Sequence, residues 1–315
     1  MTSSDMKVFG GGAHPALVRE ICEYLGVPPG DVLLERFSDG EVYCQIRENV
    51  RGADVFVIQP TNPPAENLLE LLLLLDAFKR SSAARITAVI PYYSYARQER
   101  KDRPRVPISA KLIADLIEAA GADRVLTMDL HAPAIQGFFS IPVDHLYAAP
   151  VVIEHLQQRI DPRRTVIVSP DAGGTERARF YAKRLGAAGL AIIDKRRKAH
   201  NVAETIHLIG DVEGYHCVIV DDIIDTAGTL EGATNALRKH GALSVTGCFT
   251  HPVLSGKAME RLERMPVESI TVTNTIPLDE VRAASPKIEV LSVASLLGEA
   301  IKRTHTNSSI STLFL

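Results

Sequence analysis

The sequence lacks an apolar run long enough to cross a bilayer. Its most apolar stretch, Asn67 to Phe78, is interrupted by Glu70 and Asp76 and falls short of the roughly 20 residues that a spanning helix needs. Pro63 and Pro64 before it and Lys79 and Arg80 after it suit a buried helix instead. The opening residues, MTSSDMKVFGGG, hold no apolar signal core, so no targeting segment is expected. Cysteine is scarce. Cys22, Cys44, Cys217 and Cys248 form no CxxC pair and no zinc spacing, which points to a reducing, cytoplasmic setting. An excess of one charge is also missing. The formal net charge is −3, which argues against a general nucleic-acid binder or a membrane-surface protein, so any phosphate recognition is local. The P-loop pattern G-x-x-x-x-G-K-[ST] is absent.

What is present is a chain of 315 residues, 46% hydrophobic and 23% charged. That is a globular composition with room for two ordinary domains. Short apolar strands alternate with helical periodicity throughout, which implies α/β folding with parallel sheets flanked by helices. A faint internal repeat runs through both halves: an apolar strand, a functional-looking loop, then a helix.

One stretch organises the rest, HCVIVDDIIDTAGTL from His216 to Leu230. Cys217 to Val220 reads as a buried strand, with Asp221 and Asp222 where it should end. The loop Asp225-Thr226-Ala227-Gly228-Thr229 follows, then a helix with Leu230, Ala233, Ala236 and Leu237 on one face. Small loop residues let backbone N–H groups turn toward an anion, and the helix N-terminus adds partial positive charge. Thr226 and Thr229 add hydroxyl donors. The paired aspartates repel phosphate but suit sugar hydroxyls or a divalent cation. A phosphorylated sugar is the ligand that matches both. The plain alternative is an acidic turn between strand and helix.

Other strand ends carry further chemistry. A glycine turn, Gly10-Gly11-Gly12, precedes a helix from Pro15 to Leu25; its glycines could approach a phosphate, but the run by itself reads more as an ordinary strand-to-helix turn. Asp39-Gly40 marks a hairpin between Val32–Phe37 and Val42–Ile46. The strand Ile86 to Pro91 runs into aromatics and then a basic run from Arg97 to Arg105. Such a run is ordinarily a solvated face, but this one lies past a strand's carboxyl end, where α/β sheets bind ligands. Residues 137–147 look like the connection into the second half. Asp129 and His131 close one strand; a lone histidine there is more often structural, but its neighbour Asp129 adds the option of a metal or phosphate role. Asp171 closes another strand before a glycine pair, which suits a metal-bound phosphate. Asp194 to Lys198 holds four consecutive bases after a strand, costly to assemble unless an anion or water surrounds them. The residues up to about Val202 have no apolar period and read as a mobile loop.

Val218 to Thr229, VIVDDIIDTAGT, resembles the phosphoribosyl-diphosphate motif of type I phosphoribosyltransferases. That motif alone does not separate those transferases, or a non-catalytic paralogue, from the synthase that makes their substrate. FSDGEV, ENVRG, ITAVIPYYSYARQ, PISAKL, MDLHA, IQGFF, IPVDHLYA, VSPDAGG, DKRR and VTNTIPL extend the likeness nearly end to end. Together they resemble the ribose-phosphate pyrophosphokinase family. The resemblance implies two tandem type I phosphoribosyltransferase-like domains, 1–148 on the ATP side and 149–315 on the ribose 5-phosphate side. It implies transfer of a diphosphoryl group from MgATP to ribose 5-phosphate, for nucleotide biosynthesis. Lys195 and Arg197 take the catalytic positions. Phe37, Asp39, Gly40, Glu41, Arg97 and Gln98 take ATP-binding ones, the hairpin reaching a neighbouring subunit's adenine. His131 and Asp171, with Asp129, take the magnesium positions. Arg197, Asp221, Asp222, Asp225, Thr226, Ala227, Gly228 and Thr229 take those for ribose 5-phosphate. The family's pattern also implies a dimer-based homo-oligomer, commonly a hexamer, and a regulatory phosphate site for which Arg51, Ser81, Ser82, Lys101, Arg103, Ser308, Ser309 and Ser311 are candidates. Ala227 stands where relatives often have Gly or Cys, and Glu99 where Asp is common.

Overall fold

Strands that are apolar on both faces need helices on both faces, and the chain supplies them in alternation. The computed structural model describes residues 5–196 and 205–314. In chain order the elements are β1 (Met6–Gly10), α1 (Pro15–Leu25), β2 (Val32–Arg36), β3 (Val42–Ile46), β4 (Asp54–Ile58), α2 (Glu66–Arg80), β5 (Arg85–Ile90), α3 (Ser109–Ala120), β6 (Arg124–Met128), β7 (Val143–Leu146), α4 (Ala149–Gln157), β8 (Thr165–Ser169), α5 (Thr175–Leu185), β9 (Gly189–Arg196), β10 (Thr205–Ile209), β11 (His216–Ile224), α6 (Gly228–Lys239), β12 (Ser244–Pro252), α7 (Ala258–Arg264), β13 (Ile270–Thr273), α8 (Glu280–Ala283), β14 (Ile288–Leu291) and α9 (Ala294–His305).

The chain divides into two compact units. The first runs up to Ala148 and takes in Thr275–Pro277 and the residues from Ser292 onward; the second is Ala149–Asn274 with Leu278–Leu291. The grouping of the C-terminal segment with the first unit has a packing cause. Helix α9 buries Leu297, Ala300 and Ile301 and lies against α1. A β-carbon on Gly298 would stand 2.5 Å from the Tyr24 ring, so glycine permits that close approach.

In the first unit a sheet of order β1-β4-β5-β6-β7 is parallel throughout. Every residue of β4, DVFVI, is buried. Helix α2 covers the sheet with Leu68, Leu71, Leu74, Leu75 and Phe78, the 3–4 spacing of an apolar helix face. Strands β2 and β3 form a separate antiparallel hairpin, with Val32, Leu34, Cys44 and Ile46 packed on the same core. In the second unit the order is β10-β9-β8-β11-β12-β13-β14, and among the described strands there only β10 is antiparallel to its neighbour.

Several elements extend beyond what the sequence pattern indicates. Residues Val143–Leu146 form an edge strand paired with β6 rather than a simple connection. Strand β9 continues through Asp194 and Lys195 to Arg196 because β10 pairs with it, Arg196 opposite Thr205; the remainder of the expected loop, with Arg197, lies outside the described residues. Strand β11 does not end at the aspartates. It stays paired with β12, Asp221 opposite Phe249 and Ile224 opposite Pro252.

The amino ends of β4 and β5, two inner strands of the first sheet, are tied to the end of α9 by a charged cluster. Arg85 holds Asp54 through two bonds, of 2.8 and 2.5 Å, and its Nη2 also donates to the Thr304 carbonyl at 3.0 Å. Nδ1 of His305 lies 2.7 Å from Asp54 Oδ2. Asp54 is the shared partner and is buried. Replacing Asp54 with alanine leaves Arg85 without its carboxylate, and the expected loss is about 3 kcal/mol. Chemical denaturation of Asp54→Ala checks this, and a double-mutant cycle with Arg85→Met should show strong coupling.

Candidate active site

Three charged side chains meet at the carboxyl end of β11. Nη1 of Arg177, in the first turn of α5, lies 2.8 Å from Asp221 Oδ1 and 3.0 Å from Asp222 Oδ1. A base in a helix's first turn opposes the helix dipole, and the two carboxylates offset that cost. Burial pushes the Asp221 carboxyl well above the usual carboxylate range, and the charge of Asp222 pushes it the same way; Arg177 pulls it back. Asp171 adds to the upward push, so its charge is felt at the same acids. Arg177 escapes a motif-based reading. The signal that could have found it is its position, a base where a helix start favours acids.

The loop that follows is shaped for an anion. Ala227 is left-handed, with φ 59°, and sits at the N-cap of α6, where no side chain caps the helix. The first-turn N–H groups therefore have no partner within the helix. The turn is held from behind. Arg261 Nη1 donates to the Thr226 carbonyl at 2.7 Å, and Ser255 Oγ donates to Asp225 Oδ1. Thr226 and Thr229 are exposed. A β-carbon on Gly228 would lie 3.3 Å from Arg261 Nη1, so glycine keeps that contact unstrained. Ser255 and Arg261 come from the β12–α7 connection and α7, distant in sequence, so no local pattern announces them.

The glycine turn of the first unit is different. The Gly12 N–H already donates to Glu70 Oε1 at 2.5 Å, and the Ala13 N–H donates to Gln59 Oε1 at 3.1 Å. Gln59 Nε2 in turn donates to Glu70 Oε1 at 2.8 Å. An internal carboxylate thus occupies the place an external anion would take, which favours the ordinary-turn reading.

The remaining site candidates of the two units sit on or after strands and at the hairpin tip. Phe37, Asp39, Gly40 and Glu41 are all exposed. The tip is set by Gly40 at φ 96°, by Phe37 N–H to the Glu41 carbonyl at 2.9 Å and by Glu41 N–H to Asp39 Oδ1 at 3.1 Å. Phe37 meets Tyr43 edge to face. Arg97 and Gln98 follow β5 and are exposed; Gln98 accepts from Ser109 Oγ at the start of α3. Lys195 lies on β9. His131 is exposed past β6, whereas Asp129 is buried and its Oδ2 accepts the Ala148 N–H at 2.9 Å. Asp171 is exposed past β8, its Oδ1 capping the Gly174 N–H at 2.9 Å. Among the regulatory candidates, Ser311 borders a cavity with Gln136, Asp144, His145 and Tyr147.

Among the described residues no three His, Cys, Asp or Glu side chains gather into a closed metal cage. A magnesium ion needs none, since it commonly takes one or two carboxylates and fills the rest with water and phosphate oxygens. Asp171 fits that pattern directly. The His131 imidazole suits a bound water better than direct contact with so hard an ion.

The raised Asp221 carboxyl has a consequence for stability. Between the unfolded value near 4 and its raised folded value, the native state binds more protons than the unfolded one, so this group's contribution falls as pH rises through that window. Asp221→Asn removes the effect. Its thermal midpoint should exceed that of the unaltered protein at pH 8, with the gap closing below about pH 4. A gap that is constant with pH would contradict the assignment.

The chain is similar to known proteins along nearly its whole length. Residues 6–121 match the N-terminal domain of ribose phosphate pyrophosphokinase, and residues 201–315 match the phosphoribosyl synthetase-associated domain. A ribose-phosphate pyrophosphokinase of Caldanaerobacter subterraneus is 54% identical over 99% of this chain and 98% of its own length. One from Synechocystis is 52% identical over 98% of this chain and 92% of its own length. The crystal structure of phosphoribosylpyrophosphate synthetase from Mycobacterium smegmatis superimposes with a TM-score of 0.92 at 41% identity, covering 97% of this chain and all of that one. With its parallel sheets, its acid pair and its open helix start, the chain belongs to the ribose-phosphate pyrophosphokinase family.

Proposed function

We propose that this chain moves the β,γ-diphosphoryl group of ATP to the 1-hydroxyl of ribose 5-phosphate, releasing AMP, with the residue roles that follow. The observation that carries the reading is the acid pair beside an uncapped helix N-terminus after left-handed Ala227. It offers acceptors for sugar hydroxyls and donors for a phosphate within one strand–loop–helix unit. The 5-phosphate lies on the N–H groups and hydroxyls of Thr226 to Thr229, and Asp221 and Asp222 accept from the ribose hydroxyls. Asp225, bound to Ser255, sets the loop.

The nucleotide is read by exposed groups of the first unit. Phe37, Asp39, Gly40 and Glu41 at the hairpin tip contact adenine and ribose, and Arg97 and Gln98 contact the phosphates. An exposed tip stabilised by its own bonds supports the reading that it serves a neighbouring copy in a dimer-based oligomer such as a hexamer. His131, with Asp129 holding its turn, and Asp171 in the other unit are each available to magnesium, which would neutralise phosphate charge and polarise the β-phosphorus for attack. Lys195 and Arg197 stabilise negative charge growing on the transferred group and on the departing AMP oxygen. Alignment and charge neutralisation, rather than a covalent intermediate, supply the rate. No described helix is long and apolar enough to cross a membrane, and we place the protein in the cytoplasm.

Incubation with ATP, magnesium and ribose 5-phosphate should yield AMP and a diphosphorylated pentose. Lys195→Ala should lower kcat roughly 10²–10³-fold. Asp222→Asn should raise KM for ribose 5-phosphate while leaving KM for ATP near its starting value. Absence of AMP, or a Lys195→Ala protein of full activity, contradicts the assignment.

A further inference from the structure

His145 has no role in the reaction as assigned above, yet its ring is buried and committed to one particular backbone group. Nε2 accepts the N–H of Leu130 at 2.8 Å. Leu130 is the middle residue of the turn Asp129-Leu130-His131. The Gln136 amide lies 3.2 Å from the ring's Nδ1, and Tyr147 lies against the ring with centroids 4.5 Å apart. The imidazole is thus fixed in plane and in height before it meets the turn.

The turn needs such support. Asp129 has φ 39°, a left-handed conformation that a non-glycine residue holds only when its surroundings over-determine it. Among the described residues, bonds from β7 and the residues after it contribute. The Asp129 N–H donates to the Leu146 carbonyl at 2.9 Å. Asp129 Oδ2 accepts from Ala148 N–H at 2.9 Å. The Leu130 N–H bond to His145 reaches the residue preceding His131. Asp129 is buried, and the turn brings His131, two residues on, to the surface.

We infer that His145 is a positioning residue for the metal turn, fixing the direction in which His131 is presented by accepting the Leu130 N–H. The inference rests on the reading of His131 as a magnesium-site residue. The requirement is an acceptor at this point, not an imidazole as such. Glutamine is long enough to bring an amide oxygen to about the place of the ring Nε2, whereas leucine fills similar space and accepts nothing.

The test uses the full-length protein with Mn2+ and ATP as the probe, Mn2+ being followed by electron paramagnetic resonance, beside hydrogen exchange at individual amides. His145→Leu should speed exchange of the Leu130 amide while leaving the β4 and β5 amides protected. It should weaken Mn2+ binding in the presence of ATP roughly tenfold, the scale of one lost hydrogen bond, with KM for ribose 5-phosphate unchanged. His145→Gln should restore both readouts to within about twofold. Unchanged Mn2+ affinity in His145→Leu overturns the inference, as does a folded His145→Gln as weak as the leucine variant. Should the leucine variant not fold, the glutamine variant decides alone: retained affinity supports the acceptor role and a tenfold loss overturns it. His131→Ala separates the two levels. Intact affinity there overturns the metal reading and this inference with it; a loss there with none in His145→Leu overturns this inference only.

Discussion

The site depends on holding two carboxylates side by side at the end of a buried strand. Like charges at that distance repel, and burial strengthens the repulsion by removing water. Arg177 makes the arrangement tolerable, since one guanidinium nitrogen reaches both Oδ1 atoms. Everything around it follows from that need. Helix α5 has to start where it does to bring Arg177 over. Strand β11 has to stay paired past Asp221 so that the acids lie on a rigid element. Charge repulsion also means that the small, open loop beyond can favour an anion only because it lies a few residues away from the acids.

Sequence made much of this legible, for reasons that can be named. Helix α1, predicted from Pro15 to Leu25, has those ends because proline starts it and left-handed Gly26 stops it. Strand β8, predicted from Thr165 to Ser169, is wholly buried, so its apolar run has sharp edges. The acid pair and the loop to Thr229 were conspicuous because their residue types conflict with a buried strand. What escaped was set by partners distant in the chain. Strand β9 extends through polar residues because β10 pairs with it. Ser255 and Arg261 brace a loop some thirty residues before them, and Arg177 sits on a helix whose own pattern is ordinary. Glu70 reads as a blemish in a leucine-rich helix until the fold brings it to Gly12.

The family likeness and the physical reading contribute at different levels. Full-length similarity establishes the reaction class, and it does so without reference to any one contact. Side-chain geometry then separates residues that motif position treats alike. Asp129 and Asp171 both close a strand, but one is buried under a backbone N–H and the other is exposed. The first shapes a turn and the second is available to a hydrated ion.

Glu70 gives the two halves opposite electrostatic characters. Each half has a strand running into small residues and then a helix, the arrangement that ordinarily attracts phosphate. In one half a fixed carboxylate has taken that position; in the other the helix start remains open. Two turns drawn to one plan therefore treat a dissolved anion differently, the first repelling it and the second offering it backbone donors.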